Sequence, residues 1–349
     1  MDHDGQSNPC CLPCSCAGSL DPMSAYLFFL LPGLAFVLWA TTLLWAEKKK
    51  KGLCVLLYHR IHPEEGPKKG SEALFSVSAK RFEEQLDALK KAGYEFLSPA
   101  EVLSSLDGGE PFPDKSILIA FDDGCDSIAT LAAPLMMERE ITGLVFQTTH
   151  ESAFVFHLPG NPQRRCTPEQ IHHLVSSGWK WGVHSVHHAP PSTLSQEELE
   201  NDFSSSISWV EDASGQAVED YAIPGNFHSD KLMEIAARAG IKRVWSASPG
   251  LITLPTTEGA LPRMGVEGTS TGPGLINSLS PLGRLLRQGL SAAKRAPVRL
   301  LGPKVWLPVR RGIFRLLAPF SLSRKFWGRV LTLFTVSIVL LWVLLTSQG

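Results

Sequence analysis

No acidic residue follows Glu267 and no histidine follows His228 in this 349-residue chain. The stretch after Glu267 therefore cannot supply carboxylate or imidazole ligands, and chemistry of that kind must fall before it. Cysteine forms no framework either. Four of the seven, Cys10, Cys11, Cys14 and Cys16, crowd ahead of the first long apolar run, and Cys54, Cys125 and Cys166 are scattered singly. An odd, scattered set argues against a disulfide-stapled fold and fits a reducing compartment. Adjacent Cys10 and Cys11 are poor zinc spacing. Residues 1–23 read instead as a Cys-rich tail open to juxtamembrane acylation, or as sequence ahead of a true start at Met23. No Lys or Arg precedes the first apolar run and no clear small-x-small site marks a cleavage point, which argues against a signal peptide. No internal repeat or long low-complexity run interrupts residues 53–266.

What the chain does have is apolar sequence at both ends. Residues 24–46 are 23 residues without a charge, ~34 Å of helix and enough to cross a hydrocarbon core. Residues 330–346 are a second uncharged run of 17, near the lower limit for spanning, with Phe326 and Trp327 ahead of it at the interface. The net charge of −1 hides an asymmetry: 12 Lys/Arg and no Asp/Glu lie between Arg284 and Arg329, leaving 21 basic against 34 acidic residues elsewhere. Residues 283–329 are also rich in Leu, Val, Trp and Phe, so they read as a basic amphipathic segment on an anionic membrane surface. Interleaved bulky aliphatics argue against nucleic acid as the partner. Lys48, Lys49, Lys50 and Lys51 follow the first run, and Arg324, Lys325 and Arg329 precede the second. Both biases predict two spans in a cell membrane with the intervening domain cytoplasmic and both termini outside.

Between the runs, strand-like and helix-like patterns alternate. Strands are expected at 53–57, 117–121, 143–148, 180–183, 221–223 and 244–246, and helices at 78–92, 127–140, 168–176, 195–212 and 229–239. Ser78 is the expected N-cap of the first helix and Gly93 its stop. Alternation with short links implies a parallel sheet wrapped by helices, whose functional residues lie past the strand C-terminal ends.

Two clusters sit at such ends. Asp122 and Asp123 follow 117–121, with Gly124 permitting a tight turn; two adjacent carboxylates ending an apolar strand are costly unless they bind something, although Asp-Asp-Gly is also a common surface turn. His184 and His188 follow 180–183, four residues apart, close enough to meet one ion; a His-rich exposed loop is the plain alternative, and His187 is read that way. Together, one Asp and two His supply three ligands and leave positions open for water and substrate, with the second Asp free to act as general base.

The residues Leu57-Tyr58-His59-Arg60, Phe121-Asp122-Asp123-Gly124, Gly178-Trp179-Lys180-Trp181-Gly182, His184-Ser185-Val186-His187-His188 and Leu261-Pro262-Arg263-Met264-Gly265-Val266 resemble the polysaccharide deacetylase family, carbohydrate esterase family 4. The resemblance covers 53–270. It implies a distorted (β/α) barrel and a divalent metal, most often zinc, held by Asp123, His184 and His188. It also implies Asp122 as base and hydrolysis of an acetamide by water activated at the metal. The family's Arg-x-Pro-Tyr reads Ala222-Ile223-Pro224-Gly225 here. Gly225 keeps a backbone N–H for the oxyanion, and Arg263 is the candidate for the missing guanidinium. Cys125 stands where an aromatic or Pro is commoner. The family's late Leu-x-His is absent, leaving His59 or His228 as candidate general acid, or the metal and Asp122 alone. The reading is a membrane-anchored deacetylase of an amino sugar. A lipid-linked sugar is the expected substrate, an exported polysaccharide or peptidoglycan is the alternative, and a glycan-binding member without activity is the rival from another class.

Overall fold

Where the chain is most apolar between its ends, it forms strands. The computed structural model describes residues 22–63, 75–153, 157–158, 161–162, 164–226, 231–256, 259–302, 305 and 309. The strands there are β1 Cys54–Tyr58, β2 Arg60–His62, β3 Ser76–Ser78, β4 Glu95–Phe96, β5 Ser116–Phe121, β6 Gly143–Gln147, β7 His157–Leu158, β8 Asn161–Pro162, β9 Lys180–Val183, β10 Asp220–Ala222, β11 Arg243–Trp245 and β12 Met264–Gly265. Eight of them make one sheet, in the order β11–β10–β9–β6–β5–β1–β12, with β4 paired to the start of β5. Every pairing in it is parallel. All residues of β1, β5 and β6 are buried, as parallel strands covered on both faces require.

The sheet curls until its two edges meet one segment. Leu261 bridges Trp245 of β11, while Met264 and Gly265 pair with Leu56 and Leu57 of β1. The result is a distorted barrel, closed by residues 261–265. Strand alternation then divides the core in two. Leu56, Ile119, Phe121 and Val145 face outward onto Phe82, Leu86, Ile171, Leu199 and Phe203 of the surrounding helices. Val55, Leu118, Ala120, Leu144, Phe146 and Trp245 face inward and fill the barrel. Asp122 continues the inward series.

Local sequence sets the helix starts. Ser98 with Glu101, Thr167 with Gln170 and Ser195 with Glu198 form capping boxes ahead of the helices Pro99–Gly108, Pro168–Ser176 and Gln196–Ser214; each satisfies amide donors that a helix start leaves open. The helix expected at 127–140 is instead a π-turn, Ile128–Ala132, followed by the short helix Ala133–Met137. Pro134 has no N–H to return to the preceding turn, which widens ahead of it. Strands β4 and β12 and the helices Pro99–Gly108 and Gly272–Leu279 lie beyond the elements that the sequence pattern predicts, while the helix Pro281–Leu301 falls at the start of the expected amphipathic segment 283–329, most of whose remainder lies outside the described residues.

The chain divides after Lys48 into two compact units, of which the barrel is the second. The expected span 24–46 falls in the helix Pro22–Lys49. No helix among the described residues is long and apolar enough to cross a membrane. The expected second span, 330–346, lies outside the described residues.

Candidate metal centre

Three strand ends on one rim of the barrel bring the chemistry together. Asp122 and Asp123 follow β5, His184 follows β9, and Gly225 follows β10. His184 Nε2 lies 3.8 Å from Asp123 Oδ1, and His188 Nε2 lies 3.7 Å from the same oxygen. One donor atom from each of the three residues lies within 4.8 Å of the others. Donors about 2.0–2.2 Å from one tetrahedral ion sit roughly 3.5 Å apart, so the set fits a single cation with a slight closure. His184 is buried, Asp123 half-buried and His188 exposed, which leaves the open side of the site toward solvent.

The surroundings prepare these groups. His184 Nδ1 is 2.9 Å from the carbonyl of Ala222. That contact fixes the tautomer and turns Nε2 toward the carboxylates, as is usual for metal-binding histidines. Burial pulls the His184 pKa down to about 4, against the upward pull of Asp122 and Asp123, so the imidazole is neutral and free to ligate at neutral pH.

Asp122 is also buried, and burial alone would disfavour its charge. The Arg263 guanidinium, with help from His184, overcomes this and holds the carboxyl at about 2. The ion pair is bidentate, Nη1 to Oδ1 at 2.6 Å and Nη2 to Oδ2 at 3.0 Å, the planar geometry that arginine provides and lysine does not. Arg263 is fully buried, lies over the Phe146 ring at 4.8 Å, and donates Nε–H to the carbonyl of Ser246. It precedes β12 and reaches Asp122 through the barrel interior. The guanidinium expected at this carboxylate thus comes from outside the Ala222-Ile223-Pro224-Gly225 segment.

The three loops are held in unusual backbone conformations. Asp123, Ser185, His188 and Asn226 are four of the six non-glycine residues with positive φ among those described, and Gly124 and Gly225 join them. Such strain persists only where surrounding contacts over-determine it. Two of the residues that do so are not apparent from the motifs. Gln147 donates through Nε2 to the carbonyls of Gly124 and Thr148 and accepts from Trp181 Nε1. Asp202, on the helix Gln196–Ser214, accepts from Ser185 Oγ and the Val186 amide, pinning the loop between the two histidines. Their only signal in the sequence is a polar residue ending an apolar strand and an acid on the inner face of a helix.

The structure therefore gathers Asp122, Asp123, His184, His188 and Arg263. Gly225 sits in a turn with φ 62°, three residues past the carbonyl that orients His184. Near the same carboxylates is His59, whose pKa burial lowers while Asp123 and Asp122 pull it up. His228 lies outside the described residues. Cys125 is buried beside Cys166, whose Sγ donates to the Cys125 carbonyl, and takes no part in the centre.

Residues 109–244 match the family model for polysaccharide deacetylase, and the chain carries a domain of that family. The match includes Asp122, Asp123, His184, His188 and Gly225 and ends before Arg263. YxkH of Bacillus subtilis, a protein assigned to the polysaccharide deacetylases, is 22% identical over 229 residues, 65% of this chain and 76% of that protein. The poly-β-1,6-N-acetyl-D-glucosamine N-deacetylase of Escherichia coli is 28% identical over 85 residues, 24% of this chain and only 12% of that longer enzyme. Among solved structures, IcaB from Ammonifex degensii aligns with a TM-score of 0.55 at 25% identity, covering 68% of this chain and 98% of that one.

Proposed function

We propose that this chain is a metal-dependent N-deacetylase of an N-acetylated amino sugar, anchored at a membrane and acting on a lipid-linked substrate. One observation carries the chemistry: three donors within 4.8 Å of one another beside a carboxylate that a buried arginine keeps ionised. A divalent ion held by Asp123, His184 and His188, most readily zinc for this donor set, would supply Lewis acidity to an amide carbonyl and to water. Asp122 is the proton acceptor. Its ion pair with Arg263 keeps it ionised, the form that can accept a proton. Arg263 fixes the plane of that carboxylate. The Gly225 amide is the candidate donor to the oxyanion; His59 lies near the carboxylates, but burial favours its neutral form over the proton-donating one. The reaction is amide hydrolysis: water adds to the acetyl carbon, the C–N bond breaks, and acetate and a free amine leave.

Support for membrane attachment comes from the uncharged runs and the basic segment, and the Lys/Arg bias favours the cytoplasmic face. A cytoplasmic domain meets lipid-linked sugars more readily than an exported polymer. The resemblance to the Escherichia coli enzyme favours a second reading, a polymeric poly-N-acetylglucosamine substrate. The test is acetate release by purified full-length protein from lipid-linked and from polymeric acetamido sugars, with an Asp122→Asn control. Faster hydrolysis of the polymer would reverse the substrate assignment. Absence of both bound metal and acetate release would favour a glycan-binding role without catalysis. A fluorescent reporter at the C-terminus that lights up in the cytoplasm would contradict the two-span orientation.

A further inference from the structure

The helix Pro281–Leu301, capped by Ser280, carries its apolar and basic faces the wrong way round for a helix that only packs on a domain. Leu282, Leu286 and Leu290 recur every fourth residue, which puts them on one stripe. They are 51%, 58% and 46% exposed. An amphipathic surface helix ordinarily turns such a stripe inward. Here arginines from the other side make the inward contacts. Arg287 Nη1 donates to the carbonyl of Gly265, at 2.8 Å, and Arg295 Nη1 to Ser248 Oγ, at 2.6 Å. Arg284 Nη1 donates to the carbonyl of Leu279, back at the helix entrance.

Charge selects what covers the leucines. All 12 Lys/Arg after Glu267 stand without one Asp or Glu. A second copy of this helix would bring like charge against like. A surface of anionic lipid headgroups offers both an apolar layer for the leucines and counter-charge for the basic residues.

We propose that the Leu282–Leu286–Leu290 face lies in the interfacial layer of an anionic membrane and holds the mouth of the candidate site at that surface. The inference rests on the reading of the chain as a membrane-associated amino-sugar deacetylase and specifies how the barrel is seated. The hydrogen bonds supply the connection. Gly265 lies two residues beyond Arg263, which holds Asp122. Ser248 also accepts from Asn226, the neighbour of Gly225. The lipid-facing helix is thus bonded to segments next to the candidate site, which ties its seating on the membrane to the position of that site.

The experiment uses the full chain with Leu286→Cys and with Cys10, Cys11, Cys14 and Cys16 replaced by Ser. Cys54, Cys125 and Cys166 are buried, so an environment-sensitive fluorophore goes to position 286. The protein is reconstituted in phosphatidylcholine vesicles with and without phosphatidylglycerol. Blue-shifted emission in the anionic vesicles, quenched by lipid-borne spin label and not by iodide, is the expected result. Water-like emission quenched by iodide would overturn the proposal. A blue shift insensitive to the lipid quencher would also overturn it, in favour of a second copy as the cover. A second variant, Leu282→Gln, Leu286→Gln and Leu290→Gln together, is expected to keep its turnover of a soluble acetamido sugar and to lose turnover of a lipid-linked one. Equal loss on both would count against the membrane role. The soluble-substrate assay on the labelled protein separates the two readings: a buried label without hydrolysis sinks only the deacetylase function, and hydrolysis with an exposed label sinks only the docking.

Discussion

Replacing Arg263 with methionine keeps most of the apolar stem and removes the guanidinium from the most buried ion pair near the site. Three hydrogen bonds go with it, two to Asp122 and one to the Ser246 carbonyl. Asp122 is left in an apolar surround without its main counter-charge. The pair holds Asp122 at about 2 rather than 3.8, which at 1.36 kcal/mol per unit is on the order of 2–3 kcal/mol. A folded-state pKa below the unfolded value stabilises above the unfolded value, and the gain disappears as pH falls from about 4 through about 2. Added to the stranded desolvation, this puts the cost of the substitution at neutral pH in the range of ~3–5 kcal/mol that broken buried pairs show. A domain of this size loses about 2–4 °C of Tm per kcal/mol, so the expected drop is roughly 6–20 °C, read by calorimetry on chelated protein. Activity should fall by about 100-fold or more, the usual contribution of a positioned proton acceptor. Arg263→Lys keeps the charge but not the fork and should recover stability more than rate. The double variant Asp122→Leu with Arg263→Met should melt higher than Arg263→Met alone and remain inactive. If Arg263→Met melted within a degree or two of the parent and turned over at the same rate, the assignment of Arg263 as the group that positions Asp122 would fail.

Gly124 sits at φ +74°, and a Cβ there would come within 2.2 Å of Gln147 Oε1. Gly124→Ala should therefore displace the Gln147 amide from the Gly124 and Thr148 carbonyls and weaken zinc binding about 10- to 100-fold, as loss of an outer partner does; an unchanged titration by calorimetry would refute this. Stripping metal with a chelator should abolish acetate release and lower the melting temperature, because an ion at about 1,000 times its Kd adds ~4 kcal/mol; identical melting curves with and without zinc would count against the centre. Burial pushes the Cys54 thiol up to about 12 and the Cys125 thiol to about 11. Alkylation at pH 8 followed by peptide mapping should leave Cys54, Cys125 and Cys166 unmodified until denaturant is added, and rapid labelling of any of them in the native protein would show their segments to be open.

How far the sequence reveals this site depends on distance along the chain. Asp122-Asp123 and His184/His188 are legible because each cluster follows directly on an apolar run, and strand-end position is a local property. The strands β1, β5 and β6 are legible for the same reason: buried on both faces, they read as unbroken apolar stretches. Two-residue β4 and β12 are not, since their existence depends on β5 and β1 lying alongside. The distinction decides what could be known of Asp122. The base role proposed for it would need a cation alongside, and the place where the resemblance puts that cation reads Ala222 here. Only the closure of the barrel, with Leu261 against β11 and Gly265 against β1, sends the side chain at 263 into the interior. Arg263 could be named as a candidate only through the family resemblance; its pairing with residue 122 is a consequence of sheet curvature, which no local pattern encodes. Gln147 and Asp202 belong to the same class, as polar groups whose partners are backbone atoms of loops distant in sequence. The helix Pro281–Leu301 shows the converse. Its basic, apolar composition announces an amphipathic segment, but which face turns outward is settled by Arg287 and Arg295 finding acceptors at Gly265 and Ser248. Those acceptors flank Arg263 and Gly225, so the feature that sets the helix orientation is also the one that couples it to the candidate site.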